Sequence, residues 1–360
     1  IFFKLSIMML FLIFLLEISS IILIRLKLLP NGISTSTTLV PDKNYGFWHH
    51  KNRTFNLASP CWSSKVSYNN FGMRSAKDFK LKSNKKRIAI LGDSMSENIE
   101  VSDGEDFGSL LQHKNPNYEV LNFSVRSTGL GDQIELFNGF VKKFEPNVIF
   151  LFLSDNDLED NYYLNKRKSQ IKYKINQDTV ERIPTNKNFF SKQDSLKHKI
   201  KNKHLIFIKE KSKTYILYSR LKAHIRYLKY KINNADDLNL KKNDDYIDYE
   251  QKKIVYKYLV NKFKKSLDEN QSLYVFVNPR PKILSEKFYP EKKNIEVMKK
   301  IWGDSVIDPT INAIKFLKSE NRYKSPFLSF SCDGHFSKYG ANYMATFVTD
   351  YFSNNQKNSF

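Results

Sequence analysis

Apolar and polar positions fall into different patterns along this chain, and each pattern predicts a different kind of element. Residues 5–24 form a nearly continuous apolar run, broken by Glu17 and a few Ser. A membrane-spanning helix needs about 20 apolar residues. No small-residue cleavage site follows the run, so it predicts an uncleaved transmembrane signal anchor. Lys4 before it and Arg25 and Lys27 after it do not fix its orientation. Past Lys86 the pattern changes to short apolar runs separated by amphipathic stretches of helix length. The runs 87–91, 118–125, 147–153 and 272–277 predict strands, with shorter runs at 305–308 and 327–330. Helical spacing is found over 106–112, 132–144, 249–267, 310–317 and 339–352. Strands that alternate with helices in this way make a parallel α/β sheet. The 147–153 run is apolar throughout, as a strand covered on both faces requires.

These patterns divide the chain into an anchor (1–29), a polar stem (30–84), a main domain (85–353) and a short tail (354–360). The stem holds one patterned piece, 66–74, which reads as a short strand running into a turn at Gly72. Between 161 and 248 the sequence turns Lys-, Tyr- and Asn-rich, which marks an insertion. A long helix is expected there over 214–232, with Ile216, Leu217, Leu221, Ile225 and Leu228 near helical spacing. Its plain role is a solvated flap; the sharper alternatives are a lid or a basic face for anionic lipid.

Charge and cysteine content change this picture little. Lys and Arg number 59 against 37 Asp and Glu, a net +22 over 360 residues. The lysines are scattered and no nucleic-acid signature accompanies them, so nucleic acid is not an expected partner. Cys61 and Cys332, the two cysteines, fit neither a disulfide framework nor a metal site. A single disulfide and two free thiols both stay open.

Candidate chemistry gathers after the strands, where open parallel sheets bind their ligands. Gly92-Asp93-Ser94 follows the first strand of the main domain, and its sharp turn can present a hydroxyl. Taken alone, the tripeptide is a turn or a helix N-cap. A Ser hydroxyl becomes a useful nucleophile only when a base takes its proton and an acid fixes the tautomer of that base. Asp333-Gly334-His335 can supply both from one tight turn. Asn156, in Ser154-Asp155-Asn156-Asp157 after the third strand, can donate its amide to a developing oxyanion. The cluster Asp155, Asp157 and Asp160 reads as a helix N-terminus. It is not a calcium loop, because no Gly and no Glu fall at the required offsets.

Together Gly92-Asp93-Ser94, the loop after Asn122, Asn156-Asp157 and Asp333-Gly334-His335 resemble the four blocks of the SGNH, or GDSL, hydrolases, in order and in context. The resemblance covers roughly residues 60–353 and includes Asn70-Phe71-Gly72-Met73-Arg74, which is similar to a segment of membrane-anchored members. It implies a three-layer αβα sandwich with a mainly parallel, flavodoxin-like sheet. It further implies a Ser94 nucleophile, a His335 base oriented by Asp333, and an oxyanion hole using the Ser94 N–H and the Asn156 side chain. Asp93 and Asp157 stand beside these as supporting residues. The Gly of the second block falls on Ser127, with Gly129 two residues later, so either could supply the remaining N–H. Ser154 stands where the third block usually has Gly. The Asp that commonly stands three before the His is replaced here by Cys332; many relatives carry the acid two before the His, as Asp333 does.

The activity so implied is ester hydrolysis through an acyl-enzyme, with no metal or organic cofactor. O-acetyl groups on cell-surface carbohydrate are the implied substrate class. Alternatives are an O-acyltransferase with the same triad, a lipase or lysophospholipase, and a catalytically silent carbohydrate-binding or assembly protein. The implied setting is a single-pass membrane protein with its catalytic domain outside the cytoplasm.

Overall fold

Five parallel strands carry the fold, and their order in the sheet differs from their order in the chain. The computed structural model describes residues 2–25, 38–42, 44–59, 61–164, 171–177, 179–183, 212–215, 217, 218, 221, 222, 225, 245–280, 284, 290–322, 327–330 and 334–357. They divide into two compact units: 1–37 with 56–63 and 187–241, and 38–55 with 64–186 and 242–360.

The larger unit holds the sheet. Its strands are β5 (Lys86–Leu91), β6 (Tyr118–Asn122), β7 (Val148–Leu153), β10 (Ser272–Val277) and β11 (Val306–Ile307), in the spatial order β11-β10-β7-β5-β6. Every neighbouring pair is parallel. From β5 the chain goes outward to β6 and then returns to place β7 on the other side of β5. Loops leaving the carboxyl ends of β5 and β7 therefore diverge, and an open α/β sheet binds its ligand in the crevice between such loops.

All six residues of β7 are buried, as an apolar strand covered on both faces should be. The side chains alternate between the layers. Ile88, Ile90, Phe150, Phe152 and Phe276 pack with Phe107 and Leu111 of α3 (Phe107–Lys114), and with Met344, Val348 and Phe352 of α9 (Lys338–Lys357). Their neighbours Ala89, Leu91, Ile149, Leu151 and Val275 are equally buried and point the other way. Further helices of the unit are α4 (Leu130–Gly139), α5 (Asp157–Asp160), α6 (Asp245–Ser266), α7 (Pro290–Trp302) and α8 (Thr310–Ser319); aromatic contacts join Phe137 of α4 to Phe263 of α6, and Phe263 to Trp302 of α7.

Three parts of the chain differ from the sequence expectation. The stem forms two antiparallel hairpins, β1 (Leu39–Asp42) with β2 (Gly46–His49) and β3 (Arg53–Ser59) with β4 (Trp62–Tyr68), where one short strand was expected. The turn expected at Gly72 is present with φ +85°, and the Trp48 indole N–H donates to the Phe71 carbonyl at 2.8 Å. The insertion, expected to be helical, begins instead with an antiparallel hairpin, β8 (Lys172–Asn176) and β9 (Thr179–Ile183). Tyr173 on β8 is fully buried, and its ring lies 5.6 Å from the Lys262 ammonium of α6. Finally, the run 327–330 does not join the sheet; it makes a single antiparallel bridge, Ser329 to Phe336. The helix expected over 214–232 lies mostly outside the described residues. Cys61 is disulfide-bonded, and Cys332 lies outside the described residues.

In the smaller unit the apolar run forms α1 (Phe2–Arg25). Glu17 accepts hydrogen bonds from the Lys213 and Thr214 N–H groups and from the Ser212 and Thr214 hydroxyls. The expected transmembrane span is not supported: among the described residues no helix is long and apolar enough to cross a membrane.

Candidate active site

The turn after β5 is built around a close approach. A Cβ on Gly92 would stand 2.6 Å from Ser96 Oγ and 3.2 Å from Phe152 Cβ, so only glycine fits without displacing the third strand. The Gly92 carbonyl accepts from Val125 N–H at 3.1 Å, which ties the ends of β5 and β6 together. Asp93 then caps the one-turn helix α2 (Ser94–Glu97), its carboxylate accepting from Met95 N–H at 3.0 Å. Ser94 is the first residue of that turn and remains partly accessible while its neighbours are buried.

His335 reaches Ser94 from a second turn. Phe330 N–H donates to the His335 carbonyl at 2.8 Å, and Gly334 N–H donates to the Phe330 carbonyl at 3.0 Å. Gly334 has φ +75°, a conformation that favours glycine. The imidazole Nε2 stands 2.8 Å from Ser94 Oγ. Asn98 holds the two turns in register: its amide donates to the Phe336 carbonyl and its oxygen accepts from Phe107 N–H, both at 3.2 Å.

Asp333, the expected partner of the imidazole, lies outside the described residues. On the Nδ1 side of His335 the structure places another acid, Glu100, with Oε1 at 3.5 Å and the side chain only 4% exposed. Sequence reading passed over Glu100, because it lies in an unpatterned link between the nucleophile turn and α3.

The candidate oxyanion groups have different partners. Gly129 N–H donates to the Asp132 carboxylate at 3.1 Å and so closes the cap of α4. A Cβ on Gly129 would stand 2.4 Å from Asn161 Oδ1, so close packing explains this glycine. Ser127 is exposed and takes φ +63°. Asn156 is buried, with its amide group fixed in orientation. Its Nδ2 donates to Asp160 at 2.6 Å, and its Oδ1 accepts from the Arg280 guanidinium at 3.1 Å. An amide NH₂ has two hydrogens, and the bond to Asp160 uses one. The Arg280 guanidinium also donates to Asp155 at 2.6 Å.

The two loops flanking the sheet crossover hold buried carboxylates in opposite states. Asp157 accepts from Ser154 N–H at 2.8 Å. Burial, followed by the negative charge of Asp93 and then of Asp160 and Asp155, pushes its carboxyl well above the usual range. On the other loop, Glu97 accepts from the Tyr68 hydroxyl and from Arg126 N–H, both at 2.6 Å, and lies 3.1 Å from His49 Nε2. Burial alone would raise the Glu97 pKa, but His49, Arg126 and these hydrogen bonds outweigh it and bring it to about 2. Among the described residues no cluster of three or more His, Cys, Asp or Glu could hold a metal ion.

No protein-family model matches the chain, and no curated protein sequence matches it. Among solved structures it is similar to the lipase/acylhydrolase from Enterococcus faecalis, at 11% identity over 75% of this chain and 96% of that one, with a TM-score of 0.40. An acetyl xylan esterase is also similar, at 11% identity over 74% of this chain and 98% of that one, TM-score 0.38. So is a psychrotrophic esterase from Pseudoalteromonas sp., at 12% identity over 77% of this chain and 100% of that one, TM-score 0.37. Likeness at this level carries no weight for the chemistry, which rests on the geometry of the site itself.

Proposed function

We propose that this chain is a serine esterase of the SGNH type. The observation that carries the proposal is the 2.8 Å contact between Ser94 Oγ and His335 Nε2, made by residues 241 positions apart. Two turns built by glycine at Gly92 and Gly334 meet there, at the carboxyl end of a parallel sheet. Ser94 Oγ attacks an ester carbonyl while His335 takes the hydroxyl proton, and the imidazolium then protonates the departing alcohol. Water, activated by the same imidazole, hydrolyses the acyl-enzyme and restores Ser94. Asp333 orients the imidazole in this scheme. The tetrahedral oxyanion is held by the Ser94 N–H, by the second Asn156 amide hydrogen and by the Ser127 N–H; the Gly129 N–H is already committed to Asp132. The substrate class is O-acetyl ester on cell-surface carbohydrate, and its support is the likeness of Asn70-Phe71-Gly72-Met73-Arg74 to a segment of membrane-anchored SGNH members.

Hydrolysis of a short-chain aryl ester by the full chain in mild detergent tests the mechanism. Ser94→Ala is expected to lower kcat by about 10³-fold or more, and Asn156→Ala by about 100-fold. Equal rates for the wild-type and Ser94→Ala proteins would refute the assignment.

The same proposal places the chain at a membrane through α1. Its support is the exposed apolar side chains that follow one another without a break from Ile7 to Leu16. A helix apolar on every side suits lipid rather than water. After cell fractionation the chain should stay with the membranes through an alkaline wash and enter solution only with detergent; release by the wash alone would remove the anchor from the proposal.

A further inference from the structure

Glu100 is a buried acid that the scheme above does not use, and its placement is specific. Removing a carboxylate from water costs several kcal/mol unless a counter-charge compensates. Its Oε1 faces His335 Nδ1 at 3.5 Å, on the opposite side of the ring from Ser94. The backbone between Ser94 and Glu100 is held by Asn98, whose amide bonds the His335 loop and whose oxygen caps the start of α3. Nucleophile and acid are therefore delivered to the two nitrogens of one imidazole by a single seven-residue segment.

We infer that Glu100 is a positioning residue for His335: a carboxylate that fixes the proton on Nδ1 and stabilises the imidazolium formed when Ser94 is deprotonated. The inference rests on the esterase proposal for its catalytic consequence, but not for the electrostatic coupling itself. Among the described residues the Ser94 hydroxyl faces Nε2 of the same ring. Lys338, at the start of α9, pairs with the exposed Glu105 at 3.9 Å.

Two readouts on the full-length protein separate this inference from the esterase assignment. The first is the titration of the His335 imidazole followed by NMR with labelled histidine, assigned by His335→Gln. A carboxylate near Nδ1 favours the charged ring, so Glu100→Gln should lower the His335 pKa by about one pH unit or more. Glu100→Asp, which keeps the charge on a shorter stem, should recover part of the shift. The second is the pH profile of aryl-ester hydrolysis. In Glu100→Gln the acid limb of kcat/KM should move to lower pH by the same amount, and kcat should fall at least tenfold with KM little changed.

An unchanged His335 titration in folded Glu100→Gln would overturn the inference, whatever the activity. If the wild type shows no ester turnover while Glu100→Gln still shifts His335, the esterase assignment fails and the coupling stands. If Glu100→Gln does not fold, Glu100→Ala replaces it in the same titration, and an unchanged His335 pKa there overturns the inference.

Discussion

The loops that leave β5 and β7 flank the same crevice and bury the same kind of side chain, yet they treat its charge in opposite ways. After β5, Glu97 meets His49, the Tyr68 hydroxyl and the Arg126 N–H, and it is driven to about 2. After β7, Asp157 receives one backbone N–H while Asp93, Asp160 and Asp155 surround it with like charge, and its carboxyl is driven upward. The difference teaches that burial alone does not set the state of these acids; it magnifies whatever the neighbours impose. The β5 loop uses its compensated acid to fasten the Ser94 helix to the stem and to the Arg126 loop. The β7 loop gathers Asp155, Asp157 and Asp160 beside Asn156; Arg280 pairs with Asp155, and burial with like charge favours the neutral form of Asp157. A compensated carboxylate thus lies beneath Ser94, and a carboxyl whose ionisation the fold resists lies beside Asn156.

The largest effect is expected from uncoupling the compensated side. Glu97→Gln keeps the shape but, with one acceptor oxygen, leaves one of the buried donors, the Tyr68 hydroxyl or the Arg126 N–H, without its partner, which costs about 1–3 kcal/mol. Unfolding in urea at neutral pH measures this. Because the folded-state pKa of Glu97 lies below its ordinary 4.5, its stabilisation is complete above pH 4.5 and is lost as pH falls toward about 2. The gap between wild type and Glu97→Gln should therefore close across that window. A gap that stays constant down to pH 2 would mean that Glu97 is not ionised in the fold, and the contrast between the loops would disappear.

That contrast was only half legible in the sequence. Apolar runs at strand length, separated by amphipathic helix-length stretches, are local signals, and they placed β5, β6, β7 and β10 together with α3, α4, α6 and α9. Ser94 and His335 were legible for a related reason, since each sits in a glycine-bearing turn directly after an apolar run. Glu97 and Glu100 were not legible. They follow Ser94 at no diagnostic spacing, and their meaning comes from His49 and His335, which the chain brings near only on folding. The stem hairpins were hidden because their alternation is too short to stand out: Phe55 and Leu57 are buried beside exposed Thr54 and Asn56, and all four residues of Gly46–His49 are buried. The β8–β9 hairpin was masked by lysines, whose long stems cover apolar surface while their charges stay in water. Gly129, a glycine at a suggestive position, packs against Asn161 and gives its N–H to the cap of α4, contacts that its spacing does not announce.

A smaller and opposite effect is expected on the β7 loop. Asp157→Asn preserves an oxygen that can accept from Ser154 N–H and removes a carboxyl whose ionisation the fold resists. A carboxyl pKa raised in the folded state means that the native protein binds more protons than the unfolded chain above the ordinary 3.8. Wild-type stability must therefore decline as pH rises from that value through the folded pKa of Asp157. Well below pH 3.8 both side chains are neutral, and the two proteins should be equally stable as far as this residue is concerned. With rising pH the variant should gain progressively, reaching about 0.5–2 kcal/mol at neutral pH, the range typical of single stabilising substitutions. Thermal unfolding of both proteins between pH 4 and 8 measures the trend. A variant that loses stability relative to wild type as pH rises would show that Asp157 is a compensated anion like Glu97. The crevice would then be flanked by two loops of the same electrostatic kind.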